Sequence, residues 1–233
     1  MRPYRGVEAF RSSRERMVRE EAEARGIRDR RVLQALREVP RHLFADEALA
    51  EQAYGGHALP IGWGQTLTQP YTVALMTEAL QLEGGEKVFE VGTGSGYQAA
   101  ILARLGCRVY SMERIPGLAR RARRVLDQVG AADVLIRTGD ASHGWPEFAP
   151  FDRIVVTAGA EELPAPLKEQ LADGGILVCP VGKESQEIVL LRRQNGRFRE
   201  STLGACRFVP LIRVEGGEVE EGGRAAPGGG KRS

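Results

Sequence analysis

Three carboxylates stand where three short apolar runs stop. Glu90 follows "KVF", Glu113 closes "VYSME" and Asp140 closes "LIRTGD". After the first comes "VGTGSGYQAA", with Gly92, Gly94 and Gly96 at alternate positions. An apolar run, a glycine turn and a helix-compatible run make a ligand site at a helix N-terminus. The bland alternative is a tight connection with three solvated carboxylates. Spacing separates the candidate ligands. A dinucleotide fingerprint needs Gly-x-Gly-x-x-Gly, whereas here the third glycine comes one residue early and Tyr97 takes the last position. No Gly-Lys-Ser/Thr follows, so a Walker-type phosphate loop is not supported. Glu90 would repel a pyrophosphate and attract an amine. Glu113 lies about 20 residues past Gly92, where an acidic side chain accepts both ribose hydroxyls. In a doubly wound sheet, the ends carrying Glu90, Glu113 and Asp140 share one crevice. The implied ligand has an amino group, a ribose and an adenine-like ring. S-adenosylmethionine fits that description better than NAD.

A second group of polar residues lies in "GGHALPIGWGQTLTQPY", residues 55–71. Its glycines and prolines exclude a regular helix or a central strand. Thr68 stands just before Pro70, and either caps the following helix or offers its hydroxyl to a substrate. Gln65 can support the loop backbone or a bound cofactor. Trp63 reads equally as a lid, a core residue or a contact. His57 reads as an ordinary loop residue and His42 as structural or exposed. His143, close to Asp140, has an adenine-side role open to it.

The surrounding elements must bring these residues together. Helices are expected over 12–26, capped by Ser12 or Ser13 and stopped by Gly26, over 29–41, and, shorter, over 45–54. A further helix spans 71–80. Then strands at 87–91, 107–113, 133–140 and 152–157 alternate with helices at 96–104 and 116–130. A short helix at 164–171 and the turn "ADGG" lead to a strand at 176–182 interrupted by Pro180. Residues 186–204 read as a hairpin with Asn195-Gly196 at its turn, and 205–213 as partly extended. The "RRARR" run, 120–124, reads as the wet face of its helix, with Leu118, Ala122, Val125 and Leu126 buried. This alternation predicts an α/β fold: a doubly wound, mostly parallel sheet covered on both faces, with an antiparallel C-terminal edge and N-terminal helices. Residues 1–69 form the helices and a covering loop, 70–214 the core, and 215–233 a disordered tail rich in glycine and charge.

Bulk properties limit the partners. The chain has 233 residues, 33 Lys plus Arg against 31 Asp plus Glu, and a formal charge of +2. That balance lacks the concentrated basic excess of a nucleic-acid binder. Cys107, Cys179 and Cys206 are scattered and odd in number, which suits a reducing compartment. With no metal-ligand cluster, apolar leader or membrane-length run, a cytoplasmic protein without a metal or membrane is expected.

At this point the chain resembles the protein-L-isoaspartate (D-aspartate) O-methyltransferases. "ALPIGWGQTLTQPYTVALMTEAL" resembles that family's signature, and "VFEVGTGSGYQAAILA" its first methyltransferase motif, followed by "VYSMERI". "GDASHGWPEFAPFDRIVVTAGA", "LADGGILVCPVG" and "RFVPL" resemble its later motifs. The resemblance covers residues 14–213 and implies a Rossmann-like, S-adenosylmethionine-dependent methyltransferase. It implies methyl transfer to the free carboxylate of L-isoaspartyl residues in damaged proteins and peptides, with S-adenosylhomocysteine as product. The ester then cyclises to a succinimide, whose hydrolysis partly restores aspartate. It assigns the cofactor to Glu90, Gly92, Thr93, Gly94, Gly96, Glu113, Arg114, Asp140 and Ala141. The substrate falls to Ile61, Gln65, Thr68 and Val209, with Thr68 as the catalytic residue in place of the family's usual serine. A monomer is the expected state. Rival readings are another S-adenosylmethionine-dependent methyltransferase, for a small molecule or RNA, or a non-catalytic adenosine-binding domain.

Overall fold

The computed structural model describes residues 10–212. The expected disordered tail lies outside the described residues. A seven-stranded sheet runs through the chain in the order β5-β4-β3-β6-β7-β8-β9. Its strands are β3 (Lys87–Val91), β4 (Arg108–Glu113), β5 (Leu135–Thr138), β6 (Phe151–Val156), β7 (Leu171–Val181), β8 (Gln186–Gln194) and β9 (Arg197–Cys206). Strands β5 to β7 pair in parallel, and β8 and β9 add antiparallel strands at one edge. This is the expected Rossmann-like architecture.

Alternate residues of the central strands feed two separate cores. Val88, Val109, Val155 and Val178 pack to one face, while Phe89, Met112, Ile154 and Leu177 pack to the other. A strand buried on both faces reads as a continuous apolar run, as "KVFEV" and "RIVV" do. Helices α1 (Arg11–Met17), α2 (Arg30–Glu38), α3 (Pro70–Ala79), α4 (Tyr97–Arg104) and α5 (Pro116–Gln128) contribute to the first core. The second is covered by α6 (Ala165–Glu169) and by Trp145, which packs edge-on to Phe89 and Tyr110. The N-terminal helices therefore share one core with the sheet.

Several local expectations are corrected. Phe10, not Ser12 or Ser13, precedes α1, and no side chain caps it. Phe10 instead lies against the rings of His42 and Tyr54. The first helix passes through a π-helical segment, Val18–Ala22, and a 3₁₀ turn before Gly26 ends it. The third helix is 3₁₀ throughout, Glu47–Tyr54. "ADGG" is no free turn: it belongs to β7, at a register shift against β6. Pro180 does not interrupt that strand: it stays in register opposite Ile188 of β8, and its carbonyl accepts from Ala160 N–H at 2.9 Å. The α5 arginines are only partly a wet face. Arg121 pairs with Asp46 at 2.8 Å, and Arg123 donates to the Val134 and Ala131 carbonyls.

The irregular segment contains a small antiparallel hairpin, β1 (Leu59–Gly62) and β2 (Gln65–Leu67). Its inward residues Leu59, Ile61 and Leu67 are buried, which fixes it to the body of the protein. Trp63 sits at its turn, half-exposed, over the start of α5: a Cβ added at Gly117 would fall 2.5 Å from its ring. Trp63 is thus neither a core residue nor a cleft contact.

Candidate active site

The strand order places the site. From β3 the chain moves outward to β4 and β5, then returns to β6 on the other side of β3. At such a switch point the connections diverge and leave a crevice beyond the strand ends. Here the crevice holds about 930 Å³ of empty space, part of it open to solvent. It runs from Glu90, Glu113 and Asp140 to Gln65 and Thr68, and its rim includes Val209. The three carboxylates therefore do meet in one cleft.

The glycine turn is drawn tight by its own backbone. Gly96 N–H donates to the Thr93 carbonyl at 2.8 Å, and Gly92 N–H to Met112 at 2.9 Å. Gly94 has φ +54°, a conformation that a β-branched residue resists, and it faces the cleft. Gly96 is brought elsewhere. It does not line the cleft, and a Cβ there would lie 3.2 Å from Ala122 and 3.3 Å from Leu126. Its missing side chain lets α4 approach α5, which gives Gly96 a packing role. Ile61 is likewise buried beneath the turn rather than exposed in the cleft, facing Gly94.

Each carboxylate has a distinct setting. Glu113 accepts Gly94 N–H through Oε2 and Ile115 N–H through Oε1, both at 2.8 Å. Each oxygen keeps a lone pair for a further donor. Asp140 holds the N–H of Ser142 at 2.8 Å, and His143 lies exposed 3.8 Å away. Glu90 is wholly buried. Its Oε2 accepts from Ser111, whose hydroxyl also meets that of Thr93 at 2.6 Å, but Oε1 has no partner. Burial pushes the Glu90 carboxyl up to about 8; the Ser111 bond opposes this, the nearby charge of Glu113 adds to it, and the Ala99 N–H, too poorly aligned to satisfy Oε1, opposes it weakly. A buried acceptor without a donor is costly. A cationic amine would satisfy it, so the residues present fit the ligand that the sequence implied.

At the other end, Thr68 follows β2 and precedes α3. Gln69 caps α3 with no side-chain bond, which removes the capping alternative for Thr68. Gln69 instead donates to Thr72 Oγ1 at 2.9 Å. The Thr68 carbonyl accepts from Arg41 Nη2 at 2.7 Å. Gln65 donates to the Trp63 carbonyl at 3.3 Å, supporting the hairpin turn. Val209 is held through its carbonyl by Gly159 N–H at 2.7 Å, beside Leu211, which donates back to the Gly159 carbonyl. Arg114 and Ala141 line the cleft with Thr93. Sequence reasoning missed Gln98, Met112, Ile115 and Thr157, which also line it. Thr157 was within reach: it directly follows β6, the fourth strand end at the switch point.

A glycine turn opening α4 at the switch of a parallel sheet, with an acidic residue closing the next strand, is the build of the Rossmann-like S-adenosylmethionine-dependent methyltransferases. Within that class, residues 12–216 match the family described as Protein-L-isoaspartate(D-aspartate) O-methyltransferase (PCMT), and the chain belongs to it. It is 54% identical over 204 residues to Protein-L-isoaspartate O-methyltransferase 1 of Syntrophobacter fumaroxidans, covering 87% of this chain and 95% of that one. It is 51% identical to the Protein-L-isoaspartate O-methyltransferase of Geobacter metallireducens, covering 91% and 99%. A solved protein-L-isoaspartate O-methyltransferase superposes with TM-score 0.76 at 27% identity, covering 88% of this chain and 67% of that one. A Plasmodium falciparum structure, titled a putative enzyme of this kind in complex with S-adenosyl-L-homocysteine, shares the fold with TM-score 0.75 at 23% identity, covering 85% and 98%.

Proposed function

We propose that this chain transfers a methyl group from S-adenosylmethionine to the free carboxylate of L-isoaspartyl residues in damaged proteins and peptides, releasing S-adenosylhomocysteine. The observation that carries this reading is the single cleft joining the unpartnered Glu90 oxygen and the glycine turn to Thr68. When bound, S-adenosylmethionine supplies an electrophilic methyl group on a sulfonium. Glu90 holds its amine, and Glu113 its ribose hydroxyls. Asp140 and Ala141 receive the adenine end, while Gly92, Thr93, Gly94 and Arg114 shape the wall between.

Thr68 donates its hydroxyl to the acceptor carboxylate, and Gln65 and Val209 border the peptide. A carboxylate with a reference pKa near 4 is already ionised at neutral pH, so the transfer needs no general base. Accordingly, no histidine lines the cleft among the described residues. The work left to the protein is alignment, which can contribute up to roughly 7–11 kcal/mol in favourable intramolecular cases. Residues 10–69 pack into the same core as the sheet and border the cleft, and the protein acts as a cytoplasmic monomer on polypeptides rather than nucleic acid. The near balance of charge supports that choice of partner. Among the described residues, no helix is long and apolar enough to cross a membrane.

The test is methyl transfer to an isoaspartyl peptide and to its normal aspartyl twin, with S-adenosylmethionine titrated by calorimetry. Transfer to the first alone is expected. Binding without transfer would leave only an adenosine-binding domain, and transfer to both would discard the specificity.

A further inference from the structure

Arg41 is fully buried in a 3₁₀ turn, Arg41–Phe44, that follows α2. Its Nε donates to the Ala53 carbonyl and its Nη2 to the Thr68 carbonyl, each at 2.7 Å. Its Nη1 is buried and makes no well-aligned hydrogen bond, the Tyr97 side chain being the weaker partner that bears on the guanidinium. The guanidinium carbon lies 4.8 Å from the ring centre of Tyr97, which lines the cleft, whereas Arg41 itself does not. Among the described residues no carboxylate pairs with Arg41; the titratable groups that bear on it are Tyr97 and Tyr54. Burial lowers its value to about 10, which still leaves it charged at neutral pH. A buried charge without a counter-ion is costly. A neutral donor could make the bond to Thr68, so the bond alone does not account for the charge.

We propose that Arg41 is a positioning residue for the acceptor, its buried guanidinium fixing the Thr68 carbonyl and giving the acceptor loop a preference for a carboxylate. This rests on the assignment of Thr68 to the acceptor. The Thr68 carbonyl and the Gln69 N–H belong to one planar peptide unit. A cation on the oxygen polarises that unit and strengthens the N–H as a donor on its far side. Weak screening inside the protein carries the charge further than it would reach in water. Because the guanidinium acts from behind the loop, it attracts the carboxylate without bonding to the oxygen that must attack. A cation clamped on that oxygen would lower its nucleophilicity.

The experiment compares two peptides on the full chain: an isoaspartyl peptide as substrate and its isoasparaginyl counterpart, a neutral carboxamide, as competitor. KM and kcat for the first, the inhibition constant of the second, and cofactor affinity are measured for wild type, Arg41→Met and Arg41→Lys. Arg41→Met should raise KM for the isoaspartyl peptide by about tenfold or more, with the competitor and the cofactor binding nearly as before. Arg41→Lys should keep the preference for the charged peptide. Equal losses on both peptides would reduce Arg41 to a structural support, and unchanged KM would remove it altogether. A preference lost in Arg41→Lys would also overturn the proposal. Cofactor affinity and melting temperature report folding. Should Arg41→Met not fold, Arg41→Gln, which keeps a donor but not the charge, carries the same outcomes. Thr68→Val alongside separates the two assignments: its inertness would overturn the hydroxyl's role, whereas inertness of Arg41→Met overturns only that of the guanidinium.

Discussion

At the end of the cleft proposed for the cofactor, Glu113 and Asp140 are fixed by backbone N–H groups two residues away or on the adjacent strand end. At the acceptor end, Thr68 is held from Arg41, 27 residues distant, and Phe208, beside Val209, is held through its N–H by Gln186 Oε1 at 2.6 Å. The first end is anchored by a sheet whose ladder positions every residue. The second is assembled from a hairpin, a buried arginine and the segment around Val209, joined by a few long-range hydrogen bonds. A small, shared ligand calls for the rigid end. An acceptor presented on many different polypeptides is met by segments that lie outside the sheet. Substitutions at the two ends should therefore separate cofactor binding from turnover.

The sharpest break should come from Gly94→Val. Forcing a β-branched residue to positive φ costs roughly 1–3 kcal/mol, and the new side chain adds bulk at the cleft wall. Cofactor binding should fall below calorimetric detection while circular dichroism stays native. Persistent binding would make the turn merely architectural.

Glu113→Ala should follow. It removes the acceptor for the ribose and frees the Gly94 and Ile115 N–H groups. Bonds to a charged group contribute roughly 1.5–3 kcal/mol, so affinity should drop by about tenfold or more. Unchanged affinity by calorimetry would remove Glu113 from the ribose site.

Thr68→Val tests the other end. With no cap to lose, its melting temperature should match wild type. The lost donor should lower kcat/KM on the isoaspartyl peptide by roughly tenfold, or about 1.5 kcal/mol, with cofactor affinity intact. Thr68→Ser should keep activity. A fall in stability with full activity would contradict the assignment and leave Thr68 a structural role only.

The finest distinction concerns Glu90. Its folded value of about 8 stands above the ordinary 4.5, so the folded chain holds more protons than the unfolded one between those values. Stability from this group therefore falls as pH rises through that window. Melting of wild type relative to Glu90→Gln should worsen from pH 5 to 8. An amine bound beside Glu90 favours its charged form, so cofactor binding at pH 7 should release a fraction of a proton. Calorimetry in two buffers of different ionisation enthalpy would detect it. Equal proton release by Glu90→Gln would discard Glu90 as the amine's partner.

The sequence by itself determined the strands and the glycine turn on which the proposed cofactor site stands. Runs such as "KVFEV" and "VYSME" announce buried parallel strands because each residue faces one of two cores, and the glycines and the carboxylates at strand ends lie beside them in the chain. It also placed the hairpin turn at Asn195-Gly196, where two residues suffice to reverse the backbone. Only the tertiary structure decided what lies far apart in sequence. It made Gly96 a point of helix packing, because α5 arrives there more than 20 residues later. It raised Glu90 by burying it, it began α3 after Gln69 so that Thr68 is not its cap, and it tied the Thr68 carbonyl to Arg41. Local pattern encodes which way a side chain faces. Burial and long-range hydrogen bonds depend on which segments meet, and no neighbouring residue records that.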